Sequence, residues 1–379
     1  METTEQLRKR RRAAVEACTR VLSDGHDRTL REWSAQLARD AETAGVDLDA
    51  PADMYGDGVV AELETRVAAL LGTEAAAFFP TGTMAQQAAL RAWAGRTGSS
   101  VVALHPLAHP EMYERDALST VSGLRTVHPT RERRLPEADE IRDLGEPFGT
   151  LMLELPLRDA GFVLPTWEEL EATVAAARER DAVVHFDGAR LWECAPHFGR
   201  QLPEIAGLAD SVYVSFYKSL EGLSGAALAG PADFVAETKA WRHRYGGQIA
   251  HQFPAALSAL AGLERVLPRL PEYVAHAKTV ARALREGLAD AGVAVPLTHP
   301  AEPHTHQFQM WLPYPADALD DAGLRMAEET GTSLFGLRRF SEPGPPGLSM
   351  AEVTVGESAL EWTESEVRAA AAEFAARLR

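Results

Sequence analysis

Ala182-Val-Val-His-Phe-Asp187 is a largely apolar, β-branched run that ends on a carboxylate, and Ser211-Val-Tyr-Val-Ser-Phe216 is a second such run ending two residues before Lys218. Neither run alternates polar with apolar residues, as a strand with one wet face does. Continuous apolar strands belong to parallel sheets covered by helices on both faces. The residues between the two runs suit the helical crossover of a βαβ unit. The reading is therefore an α/β fold, with Asp187 and Lys218 at the carboxyl ends of neighbouring parallel strands. Sheets of this kind bind ligands at that edge.

Working outward, Ala75–Phe79 reads as a strand entering the turn Pro80–Thr83, followed by the helical run Met84–Ala94. Ser100–Leu104 and Thr150–Leu155 are further strands. Thr166 opens a helix with Glu169 three residues on, a capping box. Beyond Pro268–Pro271 the pattern changes to a long helix (Tyr273–Ala291) stopped at Gly292, then strands at Gln307–Leu312 and Ala351–Val355. Pro343–Pro346 is a loop, and Thr363 with Glu366 caps a closing helix. The expected organisation is an N-terminal helix and arm over residues 1–50 and a large cofactor-binding domain over 51–267. A small C-terminal α+β domain follows over 268–379.

The chain has 379 residues, more than one hydrophobic core usually serves. Its formal net charge of −17 repels phosphate backbones and anionic lipid, which argues against nucleic-acid or membrane partners. No apolar run reaches the ~20 residues that span a bilayer. The basic run Arg8–Arg12 has no apolar stretch behind it, so it reads as a solvated first helix and not a signal peptide. Cys18 and Cys194 do not make a disulfide framework, which fits a reducing cytoplasm. His304-x-His306 has no partner set for zinc, so no metal is expected. His26, His243, His251, His304 and His306 read as structural.

A carboxylate and an amine projecting toward one crevice are what pyridoxal 5′-phosphate (PLP) chemistry needs. The amine bonds the cofactor's aldehyde carbon, and the carboxylate keeps the pyridine nitrogen protonated so that the ring accepts carbanion electrons. A surface salt bridge is the competing reading of such a pair. Thr81-Gly82-Thr83-Met84, at a strand–turn–helix junction, offers free N–H groups and a helix dipole to a phosphate. An N-cap without a ligand is the plainer alternative. His109, shortly after the Ser100–Leu104 strand, is placed to stack on a pyridine ring.

Several segments resemble threonine aldolases and their β-eliminating lyase relatives: Tyr55-Gly-Asp-Gly58 through Leu63-Glu64, Phe79-Pro-Thr-Gly-Thr-Met84, His185-Phe-Asp-Gly-Ala-Arg-Leu-Trp192, Val212–Lys218 with Gly222-Leu-Ser-Gly225, and Arg244-Tyr-Gly-Gly247 through Glu264. The likeness runs in order over roughly residues 20 to 265. It implies PLP-dependent fold type I: a mostly parallel sheet with helices on both faces, plus a small C-terminal α+β domain. It makes Lys218 the Schiff-base lysine and Asp187 the partner of the pyridine nitrogen. Gly82 and Thr83 hold the phosphate, and His109, spaced to Glu114, stacks on the ring. Arg190 lies near cofactor and substrate carboxylate, and Ser23, in Leu22-Ser-Asp-Gly-His-Asp-Arg28, contacts the amino-acid substrate. A homodimer or homotetramer with sites at the subunit interface is also implied.

The resemblance implies retro-aldol cleavage of a β-hydroxy-α-amino acid of the threonine type to glycine and an aldehyde. β-Elimination, β-replacement or epimerisation of another amino acid is the alternative, and a non-catalytic PLP-fold binding protein is a second. Four positions depart from the family pattern. Ser349-Met-Ala-Glu352 stands where a carboxylate-binding arginine is expected, leaving Arg338 or Arg339 as substitutes. Gly246-Gly-Gln-Ile-Ala-His251 lacks an arginine near the phosphate. Tyr217 replaces a serine, and Leu155 follows Glu154 where asparagine is usual.

Overall fold

The computed structural model describes residues 3–23 and 28–378. By its internal contacts the chain divides into two units, Leu30–Arg269 and the two ends, Met1–Thr29 with Leu270–Arg379.

Seven strands form the sheet of the Leu30–Arg269 unit: β1 (Ala75–Phe79), β2 (Val101–Ala103), β3 (Arg125–Val127), β4 (Thr150–Glu154), β5 (Val183–Gly188), β6 (Ser211–Ser215) and β7 (Ala226–Gly230). Their order is β1-β7-β6-β5-β4-β2-β3. The five strands from β6 to β3 run parallel, and β7, between β6 and β1, is the one strand of this sheet that runs the opposite way. Every residue of β4, β6 and β7 is buried. Because side chains alternate between faces, both faces of the sheet centre are covered, as the continuous apolar runs predict.

Two strands of this sheet were not foreseen from sequence. Arg125–Val127 is a three-residue, partly exposed edge strand. Ala226–Gly230 is built from small residues that carry little β signal on their own. The crossover between β5 and β6 is not one helix but a 3₁₀ turn (Leu191–Glu193) and two short helices (Ala195–Phe198 and Leu202–Ala206). Pro196 and Pro203 each sit at a helix start, where the missing N–H costs nothing, and this breaks the segment up. The helix Gly82–Thr97 begins two residues before the expected Met84, with Thr81 as its N-cap.

The other unit carries a three-stranded antiparallel sheet in the order Ser349–Thr354, Gln307–Leu312, Leu297–His299. The long helix Leu270–Asp290 and the closing helix Glu364–Ala376 pack with it around Leu284, Phe308, Met310, Val353 and Phe374. The Thr363–Glu366 and Thr166–Glu169 capping boxes both form. The basic run is neutralised locally: Arg8 pairs with Glu5, Arg10 with Glu328, Arg11 with Asp320 and Arg12 with Glu16. His251 and His306 spend Nδ1 on the carbonyls of Asp53 and Val355, whereas His26 lies outside the described residues. Among the described residues no helix is long and apolar enough to cross a membrane.

Candidate active site

At the carboxyl edge of the large sheet, Asp187 is the last residue but one of strand β5 and Lys218 follows β6 by three residues. A small pocket there is lined by Gly82, Thr83, Gln86, His109, Glu114, Asp187, Tyr213, Tyr217 and Lys218. Five of the residues singled out from sequence (Gly82, Thr83, His109, Asp187 and Lys218) thus meet in one place. The strands supply the charged pair, the first turn of Gly82–Thr97 supplies the N–H groups, and the short helix His109–Tyr113 supplies the imidazole.

Burial dominates the electrostatics. It lowers the Lys218 ammonium to about 8, with Arg190 pushing the same way and Asp187 opposing. A lysine at that value has a sizeable neutral fraction near neutral pH, the form that attacks an aldehyde. Burial also raises the Asp187 carboxyl, while Lys218 and His109 hold it down. Asp187 Oδ1 accepts the Ala189 N–H at 3.1 Å.

Next to it on β4, Glu154 is raised to about 7 by burial and then by the Asp187 charge. Its Oε2 accepts the His109 N–H at 2.8 Å and its Oε1 the Arg158 N–H at 3.2 Å. Glu154 is therefore the anchor of the loop that carries His109. The imidazole meets Glu114 Oε1 through Nδ1 at 3.1 Å. Glu114 in turn accepts from Gln87 Nε2 at 3.2 Å. A carboxylate accepts only, so Nδ1 carries the proton of this hydrogen bond, and Nε2 is left to face the pocket.

Gly82 has a second reason to be glycine besides a phosphate. A Cβ there would lie 2.1 Å from the Tyr213 hydroxyl oxygen, so no side chain fits. Thr81 Oγ1 takes the Met84 N–H at 3.2 Å, leaving the N–H groups of Gly82 and Thr83 in a first turn without intrahelical acceptors.

Gln86 and Tyr213 were missed from sequence. Gln86 lies four residues after Gly82 on the same helix face, the one signal that marks it. Arg190 is not a lining residue. Its guanidinium lies 5.3 Å from the Phe162 ring, and its Nε is buried without a partner. Ser23, Arg338 and Arg339 belong to the other unit. Ser23 Oγ accepts the Thr354 N–H at 3.0 Å, and the residues after it, 24–27, lie outside those described. Arg338 Nη1 is 3.9 Å from Glu352, and Arg339 Nε is 2.8 Å from Asp320.

The donor set fits PLP: an amine of lowered basicity, a buried carboxylate, a helix start for a phosphate and an aromatic imidazole. Residues 34–310 match the family described as β-eliminating lyase. The low-specificity L-threonine aldolase of Escherichia coli K12 is 31% identical over 245 residues, covering 63% of this chain and 73% of that enzyme. A crystal structure from Listeria monocytogenes EGD-E, described as an L-allo-threonine aldolase, is 33% identical. It superimposes with a TM-score of 0.87 over 97% of this chain and 99% of that one. Serine palmitoyltransferase from S. paucimobilis, solved with PLP bound, shares the fold at 18% identity and a TM-score of 0.64 over 91% of this chain and 83% of that one.

Proposed function

This chain belongs to the β-eliminating lyase family, and we propose that it is a PLP-dependent lyase cleaving the Cα–Cβ bond of a β-hydroxy-α-amino acid of the threonine type, releasing glycine and an aldehyde. The observation that carries this reading is the burial of Lys218 and Asp187 in one pocket at the carboxyl edge of the sheet. When bound, PLP supplies an aldehyde that bonds an amine and a ring that accepts the electron pair left on Cα.

The pocket residues divide the work. Lys218 would bond the cofactor and, as a free amine, would hold or move a proton at Cα. Asp187 holds the proton on the pyridine nitrogen, and Gly82 with Thr83 binds the phosphate through N–H groups. His109, in the pocket wall, would lie against the ring. Its Nε2 lone pair takes the β-hydroxyl proton as the Cα–Cβ bond breaks, and Glu114 stabilises the imidazolium. Arg190, three residues past Asp187 with its Nε buried and without a partner, is the proposed holder of the substrate's carboxylate.

We further propose a homodimer or a pair of dimers in the cytoplasm. Met54, Tyr55, Ile249 and Phe253 expose apolar surface, and the Tyr55 N–H bond to the Ala250 carbonyl gathers the two segments. Both cysteines are free thiols.

The test is the visible spectrum of the purified protein with PLP, with and without borohydride, beside Lys218→Ala, followed by a screen of β-hydroxy amino acids for released glycine. A yellow band that borohydride removes and the variant lacks, with glycine formed, is the expected result. Ammonia and a keto acid in place of glycine would transfer the assignment to β-elimination.

A further inference from the structure

Behind the pocket, four side chains form a buried hydrogen-bond chain that the proposed chemistry does not use. Trp93 Nε1 donates to Ser211 Oγ at 2.8 Å. Ser211 Oγ lies 2.8 Å from His185 Nδ1, and His185 Nε2 lies 2.8 Å from Gln86 Oε1. Their donor and acceptor chemistry fixes the direction. An amide oxygen only accepts, so His185 Nε2 carries a proton. Full burial holds the imidazole neutral, with its pKa lowered to about 3. Nδ1 is therefore bare and accepts the Ser211 hydroxyl, which takes its own hydrogen bond from the indole.

The chain ends on Gln86, which is 1% exposed. Its oxygen is committed to His185, while Nε2, with two hydrogens to give, is buried without a partner. A buried donor left unpaired carries the full cost of its lost hydration. Gln86 also lines the pocket that holds Lys218 and Asp187. A side chain rotationally locked by three others, with its unsatisfied end in a ligand pocket, is built to be completed by the ligand.

We infer that Gln86 binds the cofactor, donating from Nε2 to one of its anionic oxygens, and that Trp93, Ser211 and His185 are positioning residues that aim this amide. The inference rests on the reading of the pocket as the PLP site. PLP's strong acceptors are its phosphate and its ring oxygen. The helix start at Gly82–Thr83 lies one turn from Gln86, and His185 lies two residues before Asp187 on the same strand face.

The experiment titrates PLP, and separately pyridoxal, into cofactor-free wild type, Gln86→Leu, Ser211→Ala and the double variant, with the Tm of each measured alone. Gln86→Leu is expected to raise the Kd for PLP about tenfold or more, the loss of one charge-assisted hydrogen bond. Spared pyridoxal binding assigns the phosphate as acceptor, and equal weakening of both assigns the ring oxygen. Ser211→Ala weakens PLP binding when Gln86 is present and adds nothing once it is leucine, yet lowers Tm in both backgrounds. A merely structural chain would change Tm alone. Gln86→Glu keeps the acceptor facing His185 and replaces the donor with oxygen, so it gives the same reading should the leucine variant not fold. An unchanged Kd in both Gln86 variants, or a Ser211→Ala effect on Kd that persists in full beside Gln86→Leu, overturns the inference. Failure of wild type to bind PLP would overturn the cofactor reading instead.

Discussion

Glu154 and Asp187 are register partners on adjacent parallel strands, two buried carboxylates side by side at the mouth of the pocket. Two such groups cannot both stay ionised cheaply. Glu154 yields, at about 7, and Asp187, favoured by Lys218 and His109, keeps more of its charge.

A first prediction follows from linkage. A carboxyl raised in the folded state holds its proton longer than it does unfolded, so its contribution to stability is fully present below the ordinary 4.5. That contribution is lost as pH rises through about 7. In cofactor-free protein, the Tm advantage of wild type over Glu154→Gln should shrink across this window and then level off. A difference that does not vary with pH would show that Glu154 does not titrate there.

The Lys218 amine gives a second. Cofactor capture uses the neutral amine, so its rate on mixing PLP with cofactor-free protein should rise with pH to a midpoint near 8, well below the ordinary 10.5. Arg190→Gln removes a cation that lowers this value and should move the midpoint up. Asp187→Asn removes an anion that raises it and should move it down. Stopped-flow absorbance across pH reads all three. A wild-type midpoint near 10 would mean that the amine is effectively in water.

The sheet centre and the Asp187–Lys218 pair were legible because parallel strands buried on both faces write continuous apolar runs, and their ends mark the ligand edge. Gly82, Thr83 and His109 were legible from the turn before Met84 and from the spacing of His109 to Glu114. The chain from Trp93 to Gln86 was not legible. Its members are 99 and 118 residues apart in their longest links, and single buried polar residues carry no periodicity. Glu154 was noticed only through its neighbour Leu155, and its grip on the His109 N–H is a backbone contact that side-chain patterns do not encode.

His109 supplies the third prediction. Phenylalanine can still lie against the ring but cannot take a proton. His109→Phe should keep PLP affinity within a few-fold while lowering kcat for glycine release by about 10² to 10⁴. Glu114→Gln, which loses the negative charge facing Nδ1, should lower kcat less and shift its pH profile. If His109→Phe loses PLP and keeps kcat once saturated, the imidazole binds the cofactor but does not move the proton.

The fourth concerns Gly82 and Tyr213. The φ of Gly82 is not in the left-handed region, so its conformation is open to any residue. What excludes a side chain is the Tyr213 ring, whose Oη and Cζ would lie 2.1 and 2.9 Å from a Cβ. Tyr213 cannot easily yield, since it is 3% exposed and packed in a core with Phe79, Ala85 and Ala189. Gly82→Ala must therefore displace the first turn of the helix Gly82–Thr97, the element read as the phosphate site. Overpacking of this kind costs about 1–3 kcal/mol. PLP affinity should fall with stability, because the same N–H groups move. Tyr213→Phe removes the closer of the two clashing atoms and should restore part of both losses in the double variant, though not all, as Cζ remains too near. A Tyr213→Phe change that rescues Tm but leaves PLP binding impaired would separate the packing of the turn from its phosphate contact.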